Sequence, residues 1–159
     1  MKKAKAASPK YRPVKRSAAR LGAVQALYQM DVAQTDVGEV VAQFSSRDGL
    51  KVDEDEPAAA DVGHLTDIVE GTVREQRAID PQISLYLNPS WPLHRLDTVL
   101  RAILRAGAYE LMFRHDVPAR TAIDEYVNIA HAFYEGEEPG FVNGVLDKLA
   151  RSLASPRLQ

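Results

Sequence analysis

At 159 residues the chain has the length of one domain, and a hydrophobic content of 45% is enough for a core. The absence of cysteine excludes disulfides, thiolate metal sites and a cysteine nucleophile. The formal charge of -2 is divided unevenly: the first twenty residues carry Lys2, Lys3, Lys5, Lys10, Arg12, Lys15, Arg16 and Arg20 and no acid, so all 22 acidic residues follow them.

Residues 1–15 are polar, contain Pro9 and Pro13, and predict a disordered basic arm. The arm runs into a helix from Ser17 to about Ala33, with Leu21, Val24, Leu27 and Tyr28 on one face and several alanines adding propensity. Val37, Val40, Val41 and Phe44 mark a shorter helix. The run from Arg47 to Pro57, with Gly49 and Asp53-Glu54-Asp55-Glu56, reads as a solvated loop. Helical spacing resumes over 58–78 through Val62, Leu65, Ile68, Val69 and Val73. A second half is expected to open at Asp80-Pro81.

Asn88-Pro89-Ser90-Trp91-Pro92 is a turn able to launch a helix over 93–113, carrying Leu93, Leu96, Val99, Leu100, Ile103, Leu104 and Leu111. Gly107 in mid-helix costs about 1 kcal/mol relative to alanine, which implies close approach of another helix. After Val117-Pro118 a helix over 119–134 shows Ile123, Tyr126, Val127, Ala130 and Phe133. The last helix follows Gly136 to Gly140 with Phe141, Val142, Val145, Leu146, Leu149 and Leu153. No long window alternates with period two. The expectation is an all-α single compact domain of about seven helices over 16–155, arranged as two packed helical subdomains of about 16–80 and 81–155.

Catalysis finds no support in the residue pattern. His64, His94, His115 and His131 share no ligand spacing, no serine sits in a G-x-S-x-G context, and no glycine-rich phosphate loop is present. No cofactor or metal is expected. A basic segment anchored on a helix suits a polyanion, so nucleic acid is the first partner to consider. Arg16 and Arg20 are four apart and share a helix face, with Gln25 and Tyr28 further along. Asp97, Arg101 and Arg105 form an i, i+4, i+8 stripe in which Asp97 and Arg101 suit an ordinary intrahelical pair; Arg105 is left to reach RNA or hold another helix. Phe141, beside Pro139-Gly140 at a helix start, suits either core packing or base stacking. Asn143-Gly144 suits a cap, an interhelical hydrogen bond or close backbone approach.

Four blocks together resemble a known family: Ala19-Arg-Leu-Gly-Ala-Val-Gln-Ala-Leu-Tyr28, Leu100-Arg-Ala-Ile-Leu-Arg-Ala-Gly-Ala-Tyr-Glu-Leu111, Val117-Pro118 with Ala122-Ile-Asp-Glu125, and Phe141-Val-Asn-Gly-Val-Leu-Asp-Lys148. In this order they look like the bacterial transcription antitermination factor NusB family, over about residues 15–152. The resemblance implies an all-helical, non-enzymatic adaptor in the cytoplasm. It implies binding to single-stranded boxA RNA of ribosomal RNA leader transcripts together with NusE, a small-subunit ribosomal protein, in an antitermination complex on RNA polymerase. By the same resemblance Lys15, Arg16, Arg20, Arg105 and Phe141 are RNA-binding, Tyr28 lies near the partner-protein surface, and some members are homodimers that hide the RNA face. Gln25 is added to the RNA-binding set by its place beyond Arg16 and Arg20 on the first helix, where its amide is available to a base.

Two features depart from the family's pattern. Ser17-Ala18-Ala19 dilutes the basic cluster, and Leu100 stands where some members place an acid toward NusE. Two other readings remain open: a helical protein–protein interaction module, and an RNA-binding accessory domain for ribosomal RNA modification. No segment approaches the roughly 18 apolar residues needed to cross a bilayer, and no signal-peptide stretch is seen.

Overall fold

The computed structural model describes residues 15–45 and 61–154, with the side chains of all but residues 15, 44 and 45. The basic arm expected over residues 1–15, apart from residue 15, and the acidic loop expected over 47–57 lie outside the described residues. Within them are seven α-helices and no strand: α1 (Lys15–Ala33), α2 (Val37–Ser45), α3 (Val62–Arg74), α4 (Gln76–Ser84), α5 (Thr98–Phe113), α6 (Ala119–Phe133) and α7 (Glu138–Ala154). A short 3-10 turn, Leu93–Arg95, precedes α5. None of the described helices is long and apolar enough to cross a membrane.

The apolar stripes read from the sequence converge on α5, which packs against α1, α3, α4, α6 and α7, while α2 lies on α1 and α3. One connected cluster of buried side chains draws on all seven helices, including Val24, Val40, Leu65, Ile79, Ile103, Ile129 and Leu146. Two glycines let α5 sit this close to its neighbours. Gly107 faces Leu146 of α7 and Tyr126 of α6, and an added Cβ would stand 2.8 Å from Leu146 Cδ1. Gly71 of α3 faces the ring of Tyr109 of α5, where a Cβ would fall inside any tolerated carbon–carbon distance.

Three boundaries differ from the sequence reading. The 58–78 pattern divides at Glu75, a residue at φ -99° and ψ 10° whose N–H still closes on the Gly71 carbonyl. Pro81 lies inside α4 rather than opening a second half, so the boundary expected at 80/81 falls within a helix. Proline there gives up its own amide and crowds the carbonyl four residues back, yet the chain closes beyond it through Leu85 N–H to the Pro81 carbonyl at 3.2 Å. Finally, α5 begins at Thr98, because Asp97 is extended at ψ 141° and its carboxylate accepts the Tyr134 hydroxyl. Asp61 accepts the His64 amide at 2.9 Å and fixes the start of α3.

Candidate nucleic-acid interface

The first turns of α1 carry the cationic residues, and their neighbours decide which remain available. Arg16 is exposed, with Nε 3.6 Å from the Asp61 carboxylate. The Asp61 carboxyl is held below the usual range by the His64 amide and, secondarily, by Arg16. An ion pair this exposed and this long leaves the guanidinium available to a competing phosphate. Lys15 opens α1 by its backbone.

Arg20 corrects the expectation that it contacts RNA beside Arg16. It is 2% exposed, and its Nε and Nη2 donate to Glu110 Oε2 at 2.8 Å and Oε1 at 3.1 Å. Its Nη1 lies 3.7 Å from Glu125, which also accepts the Ser17 hydroxyl. Residues 16 and 20 do share a helix face, but one turn further in that face passes beneath α3, α5 and α6. A guanidinium carried there needs a carboxylate.

Glu110 is the centre of a buried polar cluster. It accepts Tyr126 Oη at 2.5 Å and faces His64 Nε2 at 3.1 Å. The His64 Nδ1 in turn lies 3.3 Å from Arg114 Nη1, so the ring suits the tautomer with its proton on Nε2. Arg114 extends the cluster to Asp67 and Asp116. Burial pushes the Glu110 carboxyl up, yet hydrogen bonds from His64 and Arg20 and the charge of Arg20 outweigh it and hold it at about 2. The Tyr126 hydroxyl is pushed the other way, by burial first and by the Glu110 charge second.

Spacing alone did not reveal this cluster, although a signal was present. Glu110 continues the apolar face Ile103–Gly107–Glu110, and Arg20 continues Arg20–Val24–Leu27, both at helical intervals. A lone charge on each apolar stripe requires an opposite charge inside.

Arg105 is likewise turned inward to carboxylates. Its Nε and Nη2 donate to both Asp80 oxygens at 2.9 Å, and Nη1 lies 3.8 Å from Asp31. It therefore joins α5 to α4 and to the end of α1, the helix-holding role the stripe left open. Arg101 pairs with Asp31 at 2.9 Å rather than with Asp97. Asp97 precedes α5 and its carboxylate accepts the Tyr134 hydroxyl, so no intrahelical pair forms and Arg101 turns to the acid on α1. Leu100 is fully buried.

On α1, Gln25 is half-buried and Tyr28 is 40% exposed. Phe141, in the first turn of α7, is half-buried and packs on the core with part of its ring open. The helix surface beside it is bare: Asn143 is exposed, and a Cβ added at Gly140 or Gly144 would meet nothing within 4 Å. Arg16 and Phe141 thus stand on different helices, linked by α6. The Ser17–Glu125 bond joins α1 to mid-α6, and from residue 125 to 133 the helix rises about 12 Å toward the turn that leads to Phe141. The open groups are a cation, an amide and an aromatic ring, which suit phosphate and unpaired-base contacts. Among the described residues no cluster of acids and histidines is placed to hold a metal ion.

Known proteins are similar to this chain in sequence and fold. A model of the NusB family matches residues 17–151. The Transcription antitermination protein NusB of Rhodopseudomonas palustris (strain BisB18) is 51% identical over 138 residues, 86% of this chain and 82% of that protein. The protein of the same name from Nitrobacter hamburgensis (strain DSM 10229 / NCIMB 13809 / X14) is 51% identical over 86% of each chain. Among solved structures, T. maritima NusB superposes with a TM-score of 0.74 at 30% identity, covering 88% of this chain and 93% of that one. NusB in a crystal structure of antitermination factors NusB and NusE in complex with dsRNA gives a TM-score of 0.70 at 26% identity, covering 86% and 96%.

Proposed function

The chain belongs to the NusB family, and we propose that it works as a non-enzymatic adaptor in transcription antitermination, binding boxA RNA of ribosomal RNA leader transcripts together with NusE. The observation that carries this reading is the 51% identity to proteins named for antitermination over 86% of the chain. The solved complex of a relative with NusE and RNA supports the choice of both partners.

In this reading the basic arm, Lys15 and Arg16 supply attraction to phosphate, while Gln25 and Phe141 meet bases. Arg20 and Arg105 act from within, holding α1 and α4 on α5 through Glu110 and Asp80. Tyr28 faces the protein partner. RNA keeps away from residues 31–80, where thirteen acids stand against four bases. If about four phosphates are neutralised, affinity falls on the order of 50-fold between 50 and 200 mM salt. The assembled complex acts on RNA polymerase in the cytoplasm, and a homodimer that hides the RNA surface is a state open to the free chain.

The test is a titration of boxA RNA with and without NusE, using single-stranded and duplex forms of the same sequence. Much tighter binding with NusE, and preference for the single strand, are expected. Equal affinities with and without NusE refute the adaptor role, and preference for duplex refutes the reading of unpaired bases.

A further inference from the structure

Asp61 divides its two carboxylate oxygens between two helices. Oδ1 accepts the His64 amide at 2.9 Å and caps α3, while Oδ2 turns to Arg16 Nε of α1 at 3.6 Å. The two side chains are 48% and 38% exposed, Arg16 the more open. At that length the contact is an ion pair rather than a hydrogen bond, so the N–H donors of Arg16 are not spent on it. The His64 amide first, and Arg16 more weakly, hold the Asp61 carboxyl below its usual range, which keeps it ionised at neutral pH. Other acids close to α1 are committed elsewhere: both oxygens of Asp116 accept Arg114, and Glu125 accepts the Ser17 hydroxyl beside Arg20.

A carboxylate oxygen offers a guanidinium what a phosphate oxygen offers, with a weaker fit for the fork of donors. A cation in the first turn of α1 works against the helix dipole, and the charge of Asp61 offsets that in the free chain. A phosphate arriving at Arg16 takes over this service, but it does so against the charge of Asp61, which stays in place because its other oxygen is tied to α3. The cap thus fixes an anion beside the phosphate contact.

We propose that Asp61 is a resident competitor for phosphate on the RNA face: it occupies Arg16 in the free chain, RNA gains Arg16 by displacing it, and its charge sets the affinity. The proposal rests on the reading of Arg16 as a phosphate contact. Its two roles separate by substitution. Asp61→Asn removes the charge and keeps an oxygen for the His64 amide, since asparagine caps a helix as well as aspartate does. Asp61→Ser is a second neutral cap, used if the asparagine variant fails to fold. Glu39→Gln, at an exposed acid in the first turn of α2 beyond the far end of α1, makes the same change in net charge away from Arg16.

Fluorescence anisotropy of the full chain tests it, with single-stranded boxA RNA and a scrambled strand of the same length. At about 50 mM salt Asp61→Asn should bind both strands roughly two- to fivefold more tightly, the worth of one exposed charge pair. Both strands should gain alike because a phosphate contact carries no sequence information. The gain should shrink at about 200 mM salt, Glu39→Gln should leave binding nearly unchanged, and the gain should vanish when Arg16→Ala is also present. Unchanged or weaker binding in Asp61→Asn, a gain matched by Glu39→Gln, a gain confined to boxA, or a gain that survives Arg16→Ala would each overturn the proposal while leaving Arg16 on the RNA. Binding of both strands that Arg16→Ala alone does not alter would instead remove Arg16 from the RNA face, and the proposal with it.

Discussion

Arg20 of α1 and Glu110 of α5 meet in a two-point pair closed to solvent, with side chains 3% and 0% exposed. The pair ties the helix that leads into the basic arm to the helix at the centre of the fold. Removing one member leaves the other charged and buried. Arg20→Met should therefore cost about 3–5 kcal/mol in urea unfolding, while the double change Arg20→Met, Glu110→Leu should recover much of it. Equal losses in the single and double variants would mean that the charge left behind is solvated.

The same carboxyl makes stability depend on acid. Glu110 titrates at about 2 in the folded chain against 4.5 as its ordinary value. Because the folded value is the lower one, its contribution is complete above pH 4.5 and is lost as pH falls toward 2. The amount is on the order of 3 kcal/mol at neutral pH. Acid unfolding followed by circular dichroism should show a steep loss in that window, and Glu110→Gln should flatten it.

Arg16 and Arg20 should separate in the salt dependence of RNA binding. Arg16→Ala removes a phosphate contact and should lower the log–log slope by about 0.7. Arg20→Lys should leave the slope intact even where affinity drops. A slope reduced by Arg20→Lys would place that residue on the RNA; a flat wild-type profile would remove phosphate contact from the chain altogether.

Two glycine substitutions should rank by the stiffness of what they meet. Gly71→Ala drives a methyl into the ring of Tyr109, whose hydroxyl is tied to Asp67 at 3.0 Å, and should cost at least the roughly 1–3 kcal/mol of ordinary overpacking. Gly107→Ala meets chiefly the flexible end of Leu146, and about 1 kcal/mol of helix propensity offsets the strain. Thermal melts should place Gly71→Ala well below Gly107→Ala, with Tyr109→Leu restoring part of the loss in the former.

Phe141→Ala should weaken RNA binding by about 1–3 kcal/mol, the value of one stacked base. Phe141→Leu, which keeps the core contact, should preserve stability while showing a similar loss of RNA affinity. If leucine restores binding, the residue serves packing alone.

Helix positions were legible because each stripe is apolar at intervals of three and four, and Gly107 disclosed its neighbour because nothing but a second helix rewards a bare Cα there. The fate of individual arginines was not legible. Spacing reports which residues share a face of one helix; it is silent on what covers that face. Arg20 meets an acid ninety residues away, and Arg101 pairs with Asp31 of α1 because Asp97 lies ahead of α5 with its carboxylate on Tyr134. Glu75 and Pro81 misled for a related reason. A bend and an interior proline are outweighed where Ile79 and Ile83 on either side of Pro81 are anchored in the core. Phe141 packs on the core while staying half-buried, a state that helical spacing does not distinguish from full burial.

The central position of α5 has a consequence for how the chain is made. α1, α3 and α4 all close against a helix that ends only at Phe113, so during synthesis they emerge before the wall they need. At ordinary elongation rates that interval is on the order of seconds. For its duration Leu65, Ile68 and Ile79 lack a lid, and a fragment released before residue 98 should clump rather than settle as a half-sized unit.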